Sequence, residues 1–137
     1  MRLDLPAVRY MEENGRAPGL SISLVVPCYT LDRWEDIVRL IASIEAQTEP
    51  VDQVVFVVQQ SHALLKRLTA ELRTSAVRRN AEVHFLPEAG VSRARNHGAG
   101  QSQGDIIAFT DDDAALCPDW AEQTRRAYRE HPGIIGI

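Results

Sequence analysis

Two hydrophobic rhythms alternate along the chain. "LSISLVVPCYT" (Leu20 to Thr30) is an almost unbroken apolar, β-branched run punctuated by Pro27, the pattern of a strand buried on both faces. "RWEDIVRLIASIEAQTEP" then places Ile37, Leu40, Ile41 and Ile44 at three-and-four spacing, which predicts an amphipathic helix that ends before Pro50. "QVVFVVQQS" (Gln53 to Ser61) is a second apolar run, followed by helical spacing through Leu64, Leu65, Leu68 and Leu72. A short third strand is predicted from Glu82 to Leu86, then a small-residue helix, "VSRARNHGAGQSQG", which Gly104 can end in a left-handed conformation. "DIIAFT" reads as the fourth strand. Pro118 suits the first turn of a helix over "DWAEQTRRAYREH", closed by Pro132 and Gly133, before a last apolar run, "GIIGI".

Strands alternating with helices through short connections predict an α/β fold, with a mostly parallel sheet covered on both faces, since each parallel crossover needs a helix. Ligands of such sheets sit beyond the carboxyl ends of the strands, where the strand order reverses. With 137 residues, 45% hydrophobic and 25% charged, the chain is expected to form about one globular domain over residues 21–137, behind a loosely held leader, residues 1–20. That leader lacks the long apolar core of a signal peptide or membrane span. A net charge of -4 and scattered basic residues argue against nucleic acid as a partner. Two cysteines, Cys28 and Cys117, without metal-ligand spacing, favour a reducing, cytoplasmic setting.

Candidate chemistry gathers at one strand end. "DIIAFT" runs into Asp111, Asp112 and Asp113, three adjacent like charges that raise the energy of a compact state unless a positive or hydrogen-bonding partner meets them. Aspartates before a helix can cap it. Three at a strand end fit better with a hard divalent cation, Mn²⁺ or Mg²⁺, held by one or two carboxylates together with substrate phosphates. Other folds that present acids in this way are excluded by what is missing. No G-x-x-x-x-G-K loop follows strand one, no acidic pair ends it, and Ala115 stands where an aspartyl phosphatase needs Thr or Val. The glycines of "HGAGQSQG" close a helix and precede a strand, the reverse of a dinucleotide loop.

"SLVVPCYT", "GVSRARNHGAGQSQGDIIAFTDDDA" and the separation between them resemble the donor half of family 2 glycosyltransferases with the GT-A fold, over about Ile22 to Ile137. The resemblance implies transfer of a sugar from a nucleotide diphosphate, UDP or another, to an acceptor hydroxyl, assisted by Mn²⁺ or Mg²⁺ and with inversion. It sets Asp111 and Asp113 on the two acids of D-x-D, with Asp113 on the metal that bridges the donor diphosphate and Asp111 or Asp112 on the ribose. It puts Pro27, Cys28, Tyr29 and Thr30 on the nucleoside pocket, and Arg95 and Asn96 on an A-R-N element whose arginine faces the nucleotide.

The chain departs from the family pattern where strand two ends in Gln59-Gln60-Ser61 instead of an acid pair that bonds a pyrimidine, and where Thr30 replaces an asparagine. A glutamine both donates and accepts, so Gln59 or Gln60 is expected to read the base edge in place of that acid. None of His62, His84, His97 or His131 matches the general base of an inverting transferase, which lies in the family's acceptor half. The chain therefore reads as a donor half, truncated relative to the family, with an exposed apolar face expected where the rest would pack and hence a tendency to self-associate. The alternative is a non-catalytic nucleotide- or metal-binding module, or an assembly domain.

Overall fold

A computed structural model describes residues 19–136. All but the end of the expected leader lies outside those residues. Four strands, β1 (Ile22–Cys28), β2 (Gln53–Gln59), β3 (Ala81–Leu86) and β4 (Ile106–Phe109), form one wholly parallel sheet in the order β3-β2-β1-β4. Register follows the expected runs, with Val25 opposite Val55 on one side and Phe109 on the other.

Alternation along β1 divides the core. Ile22, Leu24, Val26 and Cys28 join Val54, Phe56 and Val58 of β2 in the larger cluster. Val25 joins Val55, Val57 and Ala94 in the smaller one. Two amphipathic helices, α1 (Trp34–Glu45) and α2 (His62–Arg73), cover the larger cluster, burying Ile37, Leu40, Ile41 and Ile44 from one and Leu64, Leu68 and Leu72 from the other. The opposite face is covered by α3 (Val91–Gln101). Among the described residues no helix is long and apolar enough to cross a membrane.

Two glycines set how closely α3 approaches. A Cβ on Gly98 would lie 2.3 Å from Val25 Cγ1, so the helix rests against β1 at a distance only glycine permits. Gly104 does not take the left-handed conformation expected of it. The helix ends earlier, at Gln101, and a Cβ at Gly104 would sit 2.7 Å from the Ser23 amide, so close approach is what demands glycine there.

The last helix, α4 (Trp120–Glu130), starts two residues after Pro118 rather than at it. The Trp120 amide donates to the Cys117 carbonyl at 3.0 Å, which makes Pro118 part of a preceding turn. Buried Arg125 clamps α4 to the sheet: it donates to the carbonyls of Leu20 (2.7 Å) and Pro50 (2.6 Å) and to Glu49 (2.9 Å) and Asp52 (2.8 Å). On β4, Ile107 and Phe109 are 42% and 49% exposed, and among the described residues nothing pairs with the outer edge of that strand.

Candidate functional site

The chain leaves β1 toward β2 on one side and returns to β4 on the other, so the strand order reverses at β1. A cavity of about 230 Å³ opens there beyond the carboxyl ends, lined by Pro27, Tyr29, Gln59, Gln60, Asp111 and Asp112, with Arg33 and the segment Ala89 to Val91. Six of the eleven expected residues line it, and Cys28, Thr30, Arg95, Asn96 and Asp113 do not.

After β1 the backbone turns sharply. Thr30 accepts a hydrogen bond from the Asp32 amide at 3.1 Å and so caps a 3₁₀ turn, Leu31–Arg33, that leads into α1. Its side chain is used in the turn and it is absent from the cavity lining. Cys28 points away, into the larger core cluster, where burial and then Asp112 push its thiol far above the usual range. The strand's period of two explains both placements: Pro27 faces the cavity and its neighbour Cys28 faces the core. Tyr29, 54% exposed, presents its ring beneath the Arg33 guanidinium, 5.3 Å away.

The end of β2 is built around Gln59, which is only 5% exposed. Its amide nitrogen donates to the carbonyls of Glu88 (3.0 Å) and Gly90 (2.7 Å), tying the segment after β3 to the sheet. Both amide protons are therefore committed to the protein, and only the carbonyl oxygen of Gln59 remains to accept from a ligand. Gln60 follows with φ of 63°, a conformation uncommon outside glycine and found at strained functional turns. Ser61 then closes the bend, its amide reaching the Gln59 carbonyl at 2.7 Å and its hydroxyl capping α2 at the Leu64 amide.

The acids meet arginines. Asp112, only 2% exposed, accepts from Arg33 Nη1 at 2.9 Å, while its other oxygen is buried with no partner. Burial pushes its carboxyl above the usual range, and the Arg33 hydrogen bond and charge pull it back. Asp113 is half-exposed, 3.9 Å from the same Arg33 nitrogen. Asp111 is exposed and accepts from Arg95 Nη2 at 3.3 Å, which brings Arg95 to the rim beside the acids; Asn96 lies exposed on the next position of α3, outside the lining. None of the three caps α4, whose first residue lies seven positions beyond Asp113 and whose N-cap is Asp119. Downstream the acid loop is pinned to α1 and the turn after it, through the Leu116 amide on Ser43 Oγ (3.0 Å) and Gln47 Nε2 on the Cys117 carbonyl (2.7 Å).

Among the described residues no three His, Cys, Asp or Glu side chains converge on one point. A hard divalent ion fits that arrangement if Asp111 and Asp113 supply carboxylate oxygens and a phosphate-bearing ligand supplies the rest.

The sequence pattern described as "Glycosyl transferase family 2" matches residues 23–136. The chain belongs to that family. Within family 2, it is 29% identical over 119 residues to a glucosyl-dolichyl phosphate glucuronosyltransferase of Haloferax volcanii, a match spanning 86% of this chain and 37% of the relative. By structure it is similar to TarS of S. aureus, solved with UDP, at a TM-score of 0.70 and 23% identity over 82% of this chain and 33% of that one. It is also similar to a mannosyltransferase from Pyrobaculum calidifontis, solved with GDP-Man and Mn²⁺, at a TM-score of 0.69 and 20% identity, covering 95% and 39% of the two chains. The fold is therefore of the GT-A type, and the chain spans between a third and two fifths of the length of these relatives.

Sequence reasoning did not single out Arg33 or the Ala89–Val91 wall. Arg33 carries no local signal beyond being basic just after a strand end, because its partner lies 79 residues away.

Proposed function

We propose that this chain is the donor-binding half of a family 2 glycosyltransferase, which holds a nucleotide diphosphate sugar while an acceptor hydroxyl attacks it. The observation that supports this reading most is the cavity at the strand-order reversal, where Asp111, Asp112, Arg33, Tyr29 and Gln59 come together from three strand ends. Its neighbours in structure were solved with UDP and with GDP-Man, which supports a nucleotide sugar as the ligand class.

Each residue then has a part. Tyr29 offers a half-open aromatic face to the base, and the Gln59 carbonyl oxygen accepts one base N–H. Asp111 and Asp113 would hold Mn²⁺ or Mg²⁺, which as a Lewis acid stabilises the negative charge that grows on the departing diphosphate. Arg95 balances the Asp111 charge at the rim. Attack from the face opposite the diphosphate, with inversion, needs a base for the acceptor proton. The resemblance to the family assigns that base to the acceptor half, not to the carboxylates Asp111 and Asp112 that line this cavity.

Calorimetric titration of UDP and of GDP, with Mn²⁺ and then with EDTA, tests the reading on the wild type and on Asp113→Ala. Metal-dependent binding that disappears in the variant is expected. Equal binding in both proteins, or none to a folded wild type, overturns it.

A further inference from the structure

We propose that Arg33 is a donor-phosphate contact and that Asp112 is the residue that positions it. The inference rests on the nucleotide-sugar reading above. Arg33 closes the 3₁₀ turn after β1, and its side chain lines the cavity. The charged groups in that lining are Asp111, Asp112 and Arg33. A diphosphate entering there meets two carboxylates that repel it and one guanidinium that attracts it. Arg33 therefore supplies the complementary charge.

Geometry leaves it free to do so. Guanidinium carries five N–H donors in a planar fork, and among the described residues only one of its bonds is made, from Nη1 to Asp112 Oδ1 at 2.9 Å. The rest of the fork has donors to spare for phosphate oxygens. Asp112 is 2% exposed, so its carboxylate holds the guanidinium from within the protein, while the Tyr29 ring lies against the guanidinium at 5.3 Å. An arginine fixed from two directions gives up little further side-chain freedom when a ligand binds. Asp113, 3.9 Å from the same nitrogen, places the expected cation ligand beside this contact, so the arginine and a metal would neutralise neighbouring parts of one diphosphate.

The test compares a nucleotide with its own nucleoside. UDP and GDP, uridine and guanosine are titrated by ligand-observed NMR into wild type, Arg33→Met, Arg33→Lys, Asp112→Asn and the double variant Arg33→Met/Asp112→Asn, in Mn²⁺ and in EDTA, with circular dichroism reporting the fold. The diphosphate is expected to bind Arg33→Met on the order of tenfold or more weakly in Mn²⁺, with the nucleoside changed less than about twofold. Arg33→Lys keeps the charge without the fork and should fall between, and it carries the test if the methionine variant unfolds. Asp112→Asn should weaken diphosphate binding in the wild-type background and add nothing in the Arg33→Met background, a non-additivity that a purely structural aspartate does not produce. Equal losses for nucleotide and nucleoside, or no loss in Arg33→Met while the wild type binds, overturn the Arg33 assignment alone. A folded wild type that binds neither diphosphate in either condition overturns the donor-site reading, and the Arg33 contact with it.

Discussion

Replacing Gln59 by leucine isolates the tie between β2 and the segment after β3. Leucine is close in size, so the change removes two hydrogen bonds, to Glu88 and Gly90, without opening a large void. A neutral hydrogen bond contributes about 1 kcal/mol net, and a carbonyl left buried costs more. Here the losses are moderated: Glu88 is exposed and its carbonyl regains water, and the Gly90 carbonyl keeps the Ala94 amide at 3.1 Å. The expected destabilisation is therefore about 1–2 kcal/mol, a fall of several degrees in thermal midpoint for a domain of this size. Gln59→Glu should be worse than leucine, because an acceptor-only carboxylate would face two carbonyl oxygens at a site that is 5% exposed. Urea denaturation gives the stability, and hydrogen exchange at residues 88–94 reports whether the segment loosens. A leucine variant within about 0.3 kcal/mol of wild type with unchanged exchange, or a glutamate variant as stable as leucine, would refute the reasoning.

The remaining predictions concern the frame and the acids. Arg125→Met strands the buried Leu20 carbonyl, removes the partner of the Pro50 carbonyl and leaves Asp52 and Glu49 without their cation, and should cost about 3 kcal/mol in denaturant melts. Gly98→Ala forces α3 off Val25; despite alanine's better helix propensity a net loss of about 1–2 kcal/mol is expected, together with weaker nucleotide binding as Arg95 shifts with the helix. Asp112 has a folded-state pKa above its unfolded value, so its ionised form penalises the fold above that range and the penalty fades as pH falls below it. Asp112→Asn should accordingly raise the metal-free thermal midpoint at neutral pH, with a gain that shrinks on acidification.

Much of this was legible in the chain because the signals are local. The runs that became β1 and β2 are apolar at most positions, since both strands are covered on both faces, and the expected helix stripes of α1 and α2 are buried, apart from Leu65, which is partly so. The acids at the end of β4 marked a candidate site because adjacent like charges are costly without a partner. What stayed hidden depends on partners far away in sequence. Arg33 meets Asp112 across 79 residues, Gln59 meets Gly90 across 31, and Arg125 reaches Leu20 across 105, and no periodicity encodes such encounters. Cys28 shows a subtler limit: the strand end was recognisable, but which of two neighbours faces the cavity depends on the pleat. Gly104 shows that a glycine at a helix end can be required by a neighbouring strand's amide instead of by its own dihedral angle.

The position of β1 in the middle of the sheet also bears on how the chain acquires its structure. Its backbone is bonded to β2 on one side and to β4 on the other, although β4 is made some 80 residues later. During synthesis from the amino terminus, a β1-β2-β3 sheet therefore has one bare edge on its most apolar strand until residues 106–109 emerge. Folding should be slow for the chain's size and most prone to aggregation in that interval, and the arrival of the strand that delivers the acid loop is what seals it. The cavity at the strand ends is then complete only when the hazard has passed.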